Sequence, residues 1–367
     1  MDSSTSACTN ALNVTVYDVA VNRAGPVLGF LVAVTVLAEL AQQAGVFDAA
    51  AHGCARLARG STPRLFLLIA FLGTATTVLL SLDTTAVLLT PVVLAVAARA
   101  GLRPLPFALL AVWLANVASL LLPVSNLTNL LALDRLHLHG GPFAARMWSP
   151  ALVAVVVAVA YLAAVFRRDL RGGYVIDPLD DVEDRWLFGV GVVACIGLAP
   201  GVLLGAPPWA VATPCAVLLV IAFAVRRPRV LRPSLIPWKL VIGVELLFIA
   251  VTLAGEHGLD RLMRRLEGTG DLQTAAVAAG ASNAVNNLPA YLALERGVPP
   301  GHRTQLLSLL IGTNVGPLVT IWGSLATLLW RQRCRSAGVD ISAKTFALIG
   351  LGGMPFVLVA SWAALRV

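Results

Sequence analysis

An aspartate stands in the middle of the apolar stretch 63–100, within the segment Ser81-Leu82-Asp83-Thr84-Thr85. A carboxylate in apolar surroundings is costly, so such a residue is by default a functional hypothesis. Asp83 can carry a proton or ligate a cation. The alternative is that Asp83 caps the start of a helix at this break.

Amides and small hydroxyls form three further clusters, each inside or beside an apolar run. They supply hydrogen-bond donors and acceptors without fixed charge, which suits a small polar solute or a dehydrated cation. The alternative is that they only join helices, at ~0.6 kcal/mol for each bond. Together with the aspartate segment, they give the predicted binding residues Asp83, Thr84, Thr85, Ser125, Asn126, Thr128, Asn129, Asn283, Asn286, Asn287, Asn314, Gly323, Ser324 and Thr327.

Other reactive residues carry weaker signals. Glu39 and Glu245 also lie within apolar runs, as coupling residues or as paired structural carboxylates. The five cysteines are scattered without a CxxC pair or a zinc-ligand spacing, which predicts free thiols. We therefore expect no metal centre and no organic cofactor, apart from Na⁺ or H⁺ as a coupling ion at the polar tips. The sequence has no GxSxG, HExxH or GxGD motif, which argues against an enzyme.

These polar groups are embedded in a very apolar chain of 367 residues, 58% hydrophobic and 13% charged. A soluble fold of this size could not bury that much apolar surface. The composition therefore predicts a helical, multi-pass membrane protein. The net charge of +8 comes from arginines between apolar runs, which is typical of loops beside a membrane rather than of a nucleic-acid surface. The first residues lack the basic region of a cleaved signal peptide.

Eight long apolar runs predict membrane spans near 26–46, 104–132, 148–167, 186–206, 208–225, 236–256, 303–330 and 343–365. Two further stretches, 63–100 and 271–296, carry polar residues at their middles. Backbone freed by such a break survives at membrane depth only inside protein or beside a water-filled cavity. The expected fold is therefore all-α, with about eight spans and two re-entrant hairpins.

The charges predict an orientation. If both hairpins return to their side of entry, one side of the membrane collects most of the 27 Lys and Arg residues. The positive-inside rule makes that side cytoplasmic and both termini extracytoplasmic. The predicted organisation is an extracytoplasmic segment 1–25, a first repeat 26–167, a cytoplasmic linker 168–185 and a second repeat 186–367.

The two halves of the chain repeat each other. Residues 86–131 align without a gap to 284–329, so that Pro91 meets Pro289 and Asn116 meets Asn314. The first hairpin is expected to open from the cytoplasm and the second from outside, so the repeats are inverted. Inverted repeats with interrupted helices indicate a secondary transporter whose site lies at the repeat interface.

Over roughly 24–367 the chain resembles the arsenite permease family, in the segments LDTTAVLLTPVVLA, ASLLLPVSNLTNLLA, SNAVNNLP and NVGPLVTIWGSLATLLW. That family belongs to the ion transporter superfamily, with sodium-coupled dicarboxylate carriers and some sodium/proton antiporters. The resemblance implies two inverted repeats, each with a re-entrant hairpin and a broken transmembrane helix that together form the site. It also implies a scaffold that forms a homodimer, a transport part that moves like an elevator, and, for some members, a soluble ATPase subunit. By position it assigns to the site Asp83, Thr84, Ser125, Asn126, Asn286, Asn287, Gly323, Ser324 and Thr327.

The chain departs from the family pattern in charge and in length. Asn116 and Asn314 stand where arsenite permeases usually have Asp, and Leu318 stands where they usually have Lys. The first hairpin has Asp-Thr-Thr rather than the Ser-Asn-Thr of the dicarboxylate carriers. The runs 186–206 and 208–225 have no counterpart in the first half. Either two scaffold helices are missing, or the start of the chain is placed too late.

The residues and the resemblance together predict an inner-membrane secondary transporter, with proton-linked export of arsenite or antimonite as the leading function. Arsenite is mostly uncharged at neutral pH, which suits hydroxyls and amides with one titratable carboxylate. The alternatives are a sodium- or proton-coupled carrier of a di- or tricarboxylate or another anion, a sodium/proton antiporter, and a truncated remnant without transport. A di-anion requires positive countercharge, and the expected site contains no mid-membrane Lys or Arg. The expected partners are the lipid bilayer and a small solute, and no nucleic acid.

Overall fold

The computed structural model describes residues 25–175, 183–254 and 270–366. These residues form helices and connecting turns, and their β pairing is limited to one isolated bridge between Ser61 and Gly173. Seven of the helices are long and apolar enough to cross a membrane. The prediction of an all-α membrane fold is therefore confirmed. Cys8, His257 and nearly all of the predicted segment 1–25 lie outside the described residues.

The described part of the first half contains seven helices; one of them, α4, includes a π segment, and a break separates α5 from α6. α4 begins with a short α segment, continues as a π-helix over Thr85–Leu89 and ends as an α-helix. The break after α5 contains two 3₁₀ turns, Ala118–Leu120 and Pro123–Ser125. The helices are α1 Gly25–Gln43, α2 Val46–Leu57, α3 Thr62–Leu79, α4 Leu82–Arg99, α5 Pro104–Val117, α6 Leu127–Leu136 and α7 Gly140–Val165.

The second half contains eight described helices. They are α8 Arg185–Leu203, α9 Pro208–Arg226, α10 Trp238–Ala254, α11 Asp271–Val285, α12 Asn287–Leu294, α13 Arg303–Val315, α14 Leu325–Ser336 and α15 Ala343–Ala364. Asp184 caps α8 by accepting the N–H groups of Trp186 and Leu187, at 3.0 and 3.1 Å. The hydrogen bond from Leu187 is the main reason that the pKa of Asp184 lies below its usual value.

All eight predicted spans correspond to helices, and two of them are broken as expected. The run 104–132 is α5, the break and α6, and the run 303–330 is α13, a 3₁₀ turn at Gly316–Leu318, an irregular loop and α14. Helix α2 was not predicted, because residues 47–62 form no long apolar run. α2 is amphipathic, with Phe47, Ala51 and Ala55 buried.

The two interrupted stretches each form a pair of helices, called here hairpin 1 (Thr62–Arg99) and hairpin 2 (Asp271–Leu294). Hairpin 1 breaks at Leu80 and Ser81, where Ser81 is extended. Hairpin 2 breaks at Asn286, whose φ of 89° is unusual for a residue with a side chain. α3 and α4 each have membrane-spanning length, whereas α12 has 8 residues. The return of each hairpin to its side of entry, and the division into repeats, stay predictions.

The two broken helices form the centre of the molecule. Every residue from Pro106 to Val117 in α5 is buried, as is every residue from Gln305 to Val315 in α13. Helices that are buried on all sides need no polar face, which is why the sequence shows these segments as continuous apolar runs. The remaining helices surround them, and α9 and α8 pack on α1.

Small residues allow hairpin 2 to approach α13 closely. Gly312 and Gly316 form a GxxxG pattern that faces Ala275 and Ala279 of α11. A Cβ atom on Gly316 would lie 2.7 Å from the Ala279 backbone, so only glycine fits there. Close backbone contact of this type is a common source of helix association in membranes.

Candidate functional site

A cavity of about 860 Å³ lies between the two halves of the chain. Its wall is formed by α1, the start of α4, the turn before α6, the segment 234–240 with the first half of α10, the tip of hairpin 2 and the first turns of α14. The two hairpin tips therefore meet at one cavity, as the inverted-repeat reading expected. Most of the lining is apolar, with a limited set of polar side chains at the tips.

Asp83 lies in the first turn of α4 and lines this cavity. The cap of α4 is Ser81, whose Oγ accepts the N–H of Thr84 at 3.1 Å. The alternative role for Asp83, as a helix cap, is therefore filled by another residue. Its Oδ1 is buried and has no hydrogen-bond partner among the described residues. A proton or a cation would complete the bonding of this oxygen.

The two threonines after Asp83 have different positions. Thr84 lines the cavity, and its hydroxyl contacts the Ser81 hydroxyl at 2.9 Å. Thr85 is fully buried, and its hydroxyl contacts that of Thr77 on α3 at 2.7 Å. Thr85 therefore joins the two arms of hairpin 1 and does not line the cavity.

A buried set of polar side chains connects the two broken helices and is called here the cross-repeat network. Asn314 is its centre: its Oδ1 accepts bonds from the Ser119 hydroxyl at 2.7 Å and from the Asn126 amide. Its Nδ2 donates to Leu310 O at 2.8 Å and to Asn129 Oδ1 at 3.5 Å. These contacts cross between the repeats, so the network fixes one half of the site relative to the other.

The network has internal symmetry that matches the sequence repeat. Asn116 donates to Val112 O at 2.9 Å and to Thr327 Oγ1 at 3.4 Å. These bonds are the counterparts of the Asn314 bonds to Leu310 and Asn129, because each position differs by the repeat offset of the sequence alignment. The structure therefore supports the alignment of residues 116–129 with 314–327.

The symmetry is incomplete at one atom. Asn116 Oδ1 is buried without a partner among the described residues, whereas Asn314 Oδ1 accepts two bonds. The donor Ser119 has Pro317 at its repeat-related position, and proline offers no donor. Asn126 is matched by Ser324, whose hydroxyl instead contacts Thr327 at 2.8 Å.

Hairpin 2 is held to the loop before α14 by its own set of bonds. Asn283 Nδ2 donates to Gly316 O at 2.7 Å, and its Oδ1 accepts the N–H and the hydroxyl of Thr320, both at 2.9 Å. The indole of Trp322 donates to Asn283 O at 2.6 Å. Gly323 O accepts the N–H of Asn287 at 2.8 Å. These contacts make hairpin 2 and this loop one tightly bonded unit.

Two neighbouring asparagines form the tip of hairpin 2 and line the cavity. Asn286 donates its amide to Trp322 O at 2.9 Å, and its Oδ1 accepts the N–H of Leu288. The side chain of Asn287 forms no hydrogen bond to any residue that the structure describes, although only 4% of the residue is exposed. Asn287 is therefore the tip amide that is available to a solute.

The predicted binding residues thus divide into two groups. Those that line the cavity are Asp83, Thr84, Asn126, Asn286 and Asn287. Those that lie behind it, in the cross-repeat network or in the supports of the hairpins and their loops, are Thr85, Ser125, Thr128, Asn129, Asn283, Asn314, Gly323, Ser324 and Thr327. The second group positions the first.

The cavity also contains charged residues that the predicted site lacked. Glu39 of α1 lines the cavity; the sequence predicted either a coupling residue or a paired structural carboxylate at this position. Lys239 lines it from the first turn of α10, at the start of a predicted span rather than at its middle. The sequence signal was ambiguous, since a lysine beside an apolar run is typical of a loop at the membrane edge. Glu245 is half-buried on α10 and is not part of the lining.

The cysteines take no part in this site. Cys54, Cys195, Cys215 and Cys334 are all free thiols, as predicted, and none of them lines the cavity. Within the described ranges, no group of three or more His, Cys, Asp or Glu residues could hold a metal ion.

Membrane-length helices, two broken helices that cross at the centre, and an internal cavity between hairpin tips define a multi-pass membrane transporter. Residues 9–299 match the family model CitMHS, described as citrate transporter, and the chain belongs to this family. This is a family of transporters. The chain is also 30% identical over 340 residues to the arsenical pump membrane protein of Escherichia coli K12, covering 85% of this chain and 79% of that protein. The resemblance predicted from the sequence is confirmed.

Two further comparisons agree with this assignment. The 46 kDa membrane protein of Mycobacterium leprae is 25% identical over 357 residues, covering 89% of this chain and 82% of that protein. The crystal structure of the Alcanivorax borkumensis YdaH transporter, described as having an unusual topology, superposes with a TM-score of 0.61. The match covers 92% of this chain and 84% of that one at 14% identity, and so it supports the fold alone.

Proposed function

We propose that this protein is a secondary transporter of the inner membrane that exports arsenite or antimonite in exchange for protons. The similarity to the arsenical pump membrane protein supports the solute class. The observation that carries the proposal is Asp83, a carboxyl group with an unpaired buried oxygen at a hairpin tip on the cavity. The other polar groups at the tips are uncharged amides and hydroxyls.

The cavity chemistry suits an uncharged trihydroxy solute. Arsenous acid offers three O–H donors and several oxygen acceptors, and it has no charge that must be neutralised. Asn126, Asn287 and the Thr84 hydroxyl supply acceptors and donors from both halves of the chain. The side chain of Asn287 is the most available to the solute, because its amide group forms no hydrogen bond to a described residue.

Asp83 provides the coupling step. When the proton is bound, the carboxyl is neutral and can donate a hydrogen bond; when the proton leaves, the oxygen can accept a bond from the solute. Proton and solute then compete for one group, which is the requirement for exchange. Two other charged groups face the same space, Glu39 and Lys239, and both are remote from the hairpin tip in sequence.

The test is arsenite accumulation in everted membrane vesicles with and without a proton gradient. We expect gradient-driven accumulation with the natural chain and its loss with Asp83→Asn, at unchanged protein level. Asp134→Asn is the matched control, because Asp134 is an exposed carboxylate on α6 outside the cavity. Full activity of Asp83→Asn would contradict the proposed coupling role.

A second function is favoured by a different observation, the presence of Lys239 in the cavity wall. A lysine there can provide countercharge to an anion, and the family model that matches is described as a citrate transporter. The same vesicles distinguish the two functions. Citrate accumulation driven by a sodium or proton gradient, without arsenite accumulation, would favour the anion carrier.

The proposed assembly follows the arsenite permease family. We infer a homodimer formed through the scaffold helices, an optional soluble ATPase subunit, and both termini on the extracytoplasmic side. Single cysteines placed at Ser336 and at Arg366 test the orientation, since the first belongs to the predicted cytoplasmic side and the second to the opposite side. A membrane-impermeant thiol reagent added to intact cells is expected to label only the second.

A further inference from the structure

The cavity lining contains three ionisable residues among the described part of the chain: Glu39, Asp83 and Lys239. Asp83 lies at the tip of hairpin 1. Glu39 lies on α1 and Lys239 on the first turn of α10. α1 contacts both α10 and the 3₁₀ turn Pro233–Leu235 that precedes it. Glu39 and Lys239 therefore lie on two neighbouring helices of the cavity wall, and these helices also contact α12 of hairpin 2 and the π segment of hairpin 1.

Neither of these two residues is neutralised by a close partner. No ion pair involving Glu39 or Lys239 is present among the described residues, where an ion pair means a nitrogen–oxygen distance of 4.0 Å or less. Glu39 also accepts no hydrogen bond from a described residue. Glu39 is half-buried and Lys239 is exposed, and both line a cavity whose walls are mostly apolar, so both charges act on the cavity contents.

The balance of the three charges depends on one proton. With all three groups ionised, the lining carries one net negative charge. With a proton on Asp83, the charges of Glu39 and Lys239 cancel and the lining is neutral. In either state of Asp83 the two wall residues add no net charge while both are present, and they add a net charge when only one of them remains.

We propose that Glu39 and Lys239 are a compensating charge pair that sets the charge class of the transported solute. Together they add no net charge to the cavity, so that the cavity carries only the charge of Asp83 and an anion gains no net attraction. Loss of Glu39 alone leaves the charge of Lys239 uncompensated and makes the cavity more favourable to an anion by one charge. This inference rests on the proposed function, because it takes Asp83 as the group that binds the proton.

A simpler role for the two residues would be anchoring at the membrane surface. Lysines near helix ends commonly extend their ammonium group to the interface. That role predicts equal and small effects of the two neutral variants, with no change in solute preference. A compensating pair predicts opposite effects of the two variants and cancellation in the double variant.

The test is inhibition of arsenite uptake by citrate in everted vesicles, for the natural chain, Glu39→Gln, Lys239→Gln and the double variant. We expect Glu39→Gln to lower the citrate concentration for half-inhibition about tenfold, the size of effect that one uncompensated charge gives in a partly desolvated site. We expect Lys239→Gln to abolish inhibition and the double variant to match the natural chain. Glu183→Gln and Lys344→Gln are the controls, because these charges lie outside the cavity.

The result that overturns the proposal is a shift of the same sign in both single variants, or no shift in either. Direct binding of citrate to the purified protein separates this result from a failure of the proposed function. If the natural chain takes up no arsenite but binds citrate, the export proposal fails. In that case tighter citrate binding by Glu39→Gln and weaker binding by Lys239→Gln still support the pair, and equal binding rejects it.

Discussion

Hairpin 1 and hairpin 2 lie in the two halves of the chain that the sequence alignment relates, but they are held in different ways. Hairpin 2 contacts α13 through glycines that allow backbone approach, and Asn283 ties it to the following loop with bonds of 2.7–2.9 Å. Hairpin 1 meets α5 through side chains rather than backbone: a Cβ atom on Gly73 would make a tight contact of 3.3 Å, but with a Leu114 methyl group. One side-chain bond, from Ser125 to Val78 O at 3.0 Å, links it to its own broken helix.

The two hairpins therefore have different roles: hairpin 2 is held firmly by its contacts, and hairpin 1 carries the group that could bind a proton. The tightly bonded hairpin presents only uncharged amides to the cavity, and the lightly bonded one presents the carboxyl group. Part of α4 is also a π-helix, a form often found at functional sites. Under the sequence alignment, Leu88 in this π segment is opposite Asn286, the break of hairpin 2. The same position is thus a bulge in one repeat and a break in the other.

The largest expected effect concerns the glycine contact. Gly316→Ala places a Cβ atom 2.7 Å from the Ala279 backbone, and overpacking of this type costs about 1–3 kcal/mol. Gly73→Ala in hairpin 1 meets only a flexible leucine and should cost less. The measurement is the midpoint of thermal unfolding in detergent. Equal midpoints for the two variants would show that the hairpins are held equally.

The next effect concerns the two central asparagines. Asn314→Ala removes bonds to Ser119, Asn126 and Asn129, at ~0.6 kcal/mol each in a membrane protein, or roughly 2 kcal/mol in total. Asn116→Ala removes one cross-repeat bond, to Thr327. We expect the first variant to lower the free energy of unfolding clearly more than the second. The reverse order would contradict the asymmetry of the network.

A third comparison separates binding from support within hairpin 2. Asn287→Ala should weaken solute binding, by a factor of roughly ten for one lost hydrogen bond in a desolvated site, and should leave stability unchanged. Asn283→Ala should lower stability, because Asn283 joins the hairpin to the loop before α14. Solute Kd and unfolding midpoint are measured on both variants. A stability loss for Asn287→Ala would assign that residue to packing.

The smallest effect concerns the break in hairpin 2. Asn286 has φ 89° and ψ 151°, a conformation that is favourable mainly for glycine. Both Asn286→Gly and Asn286→Ala lose the bond to Trp322 O and the helix cap, but only alanine keeps the steric conflict. We expect alanine to be less stable than glycine by about 1 kcal/mol. Equal stability would mean that the backbone relaxes at this position.

Much of the architecture could be predicted from the sequence. Apolar runs predicted the spans, polar interruptions predicted the two hairpins, and the family resemblance predicted the two broken helices. Helix α2 was missed because its apolar face is short and it contains charged residues, so it does not stand out as a membrane segment. The two breaks, at Ser81 and Asn286, do not lie at aligned positions of the two halves. The sequence alignment did not predict this difference, because an alignment without gaps cannot show a π-helix.

The site was predicted at the level of clusters but not of individual roles. Asn126 and Asn314 have similar sequence environments, yet one lines the cavity and the other is buried in the network. The position of Lys239 in the cavity wall was not predicted, because the fold of the segment 234–240 against α1 is a tertiary contact. Which face of a helix lines a cavity depends on such contacts, and a single sequence does not contain them.

The most direct test of the account is proton release by the purified protein when arsenite binds. Natural protein in weakly buffered detergent solution is mixed with arsenite, and the pH change is followed with an indicator dye beside Asp83→Asn. The account predicts that arsenite displaces about one proton per site from the natural protein and none from the variant, while the variant remains folded. Equal proton release from both proteins would contradict the central claim that Asp83 couples the solute to the proton.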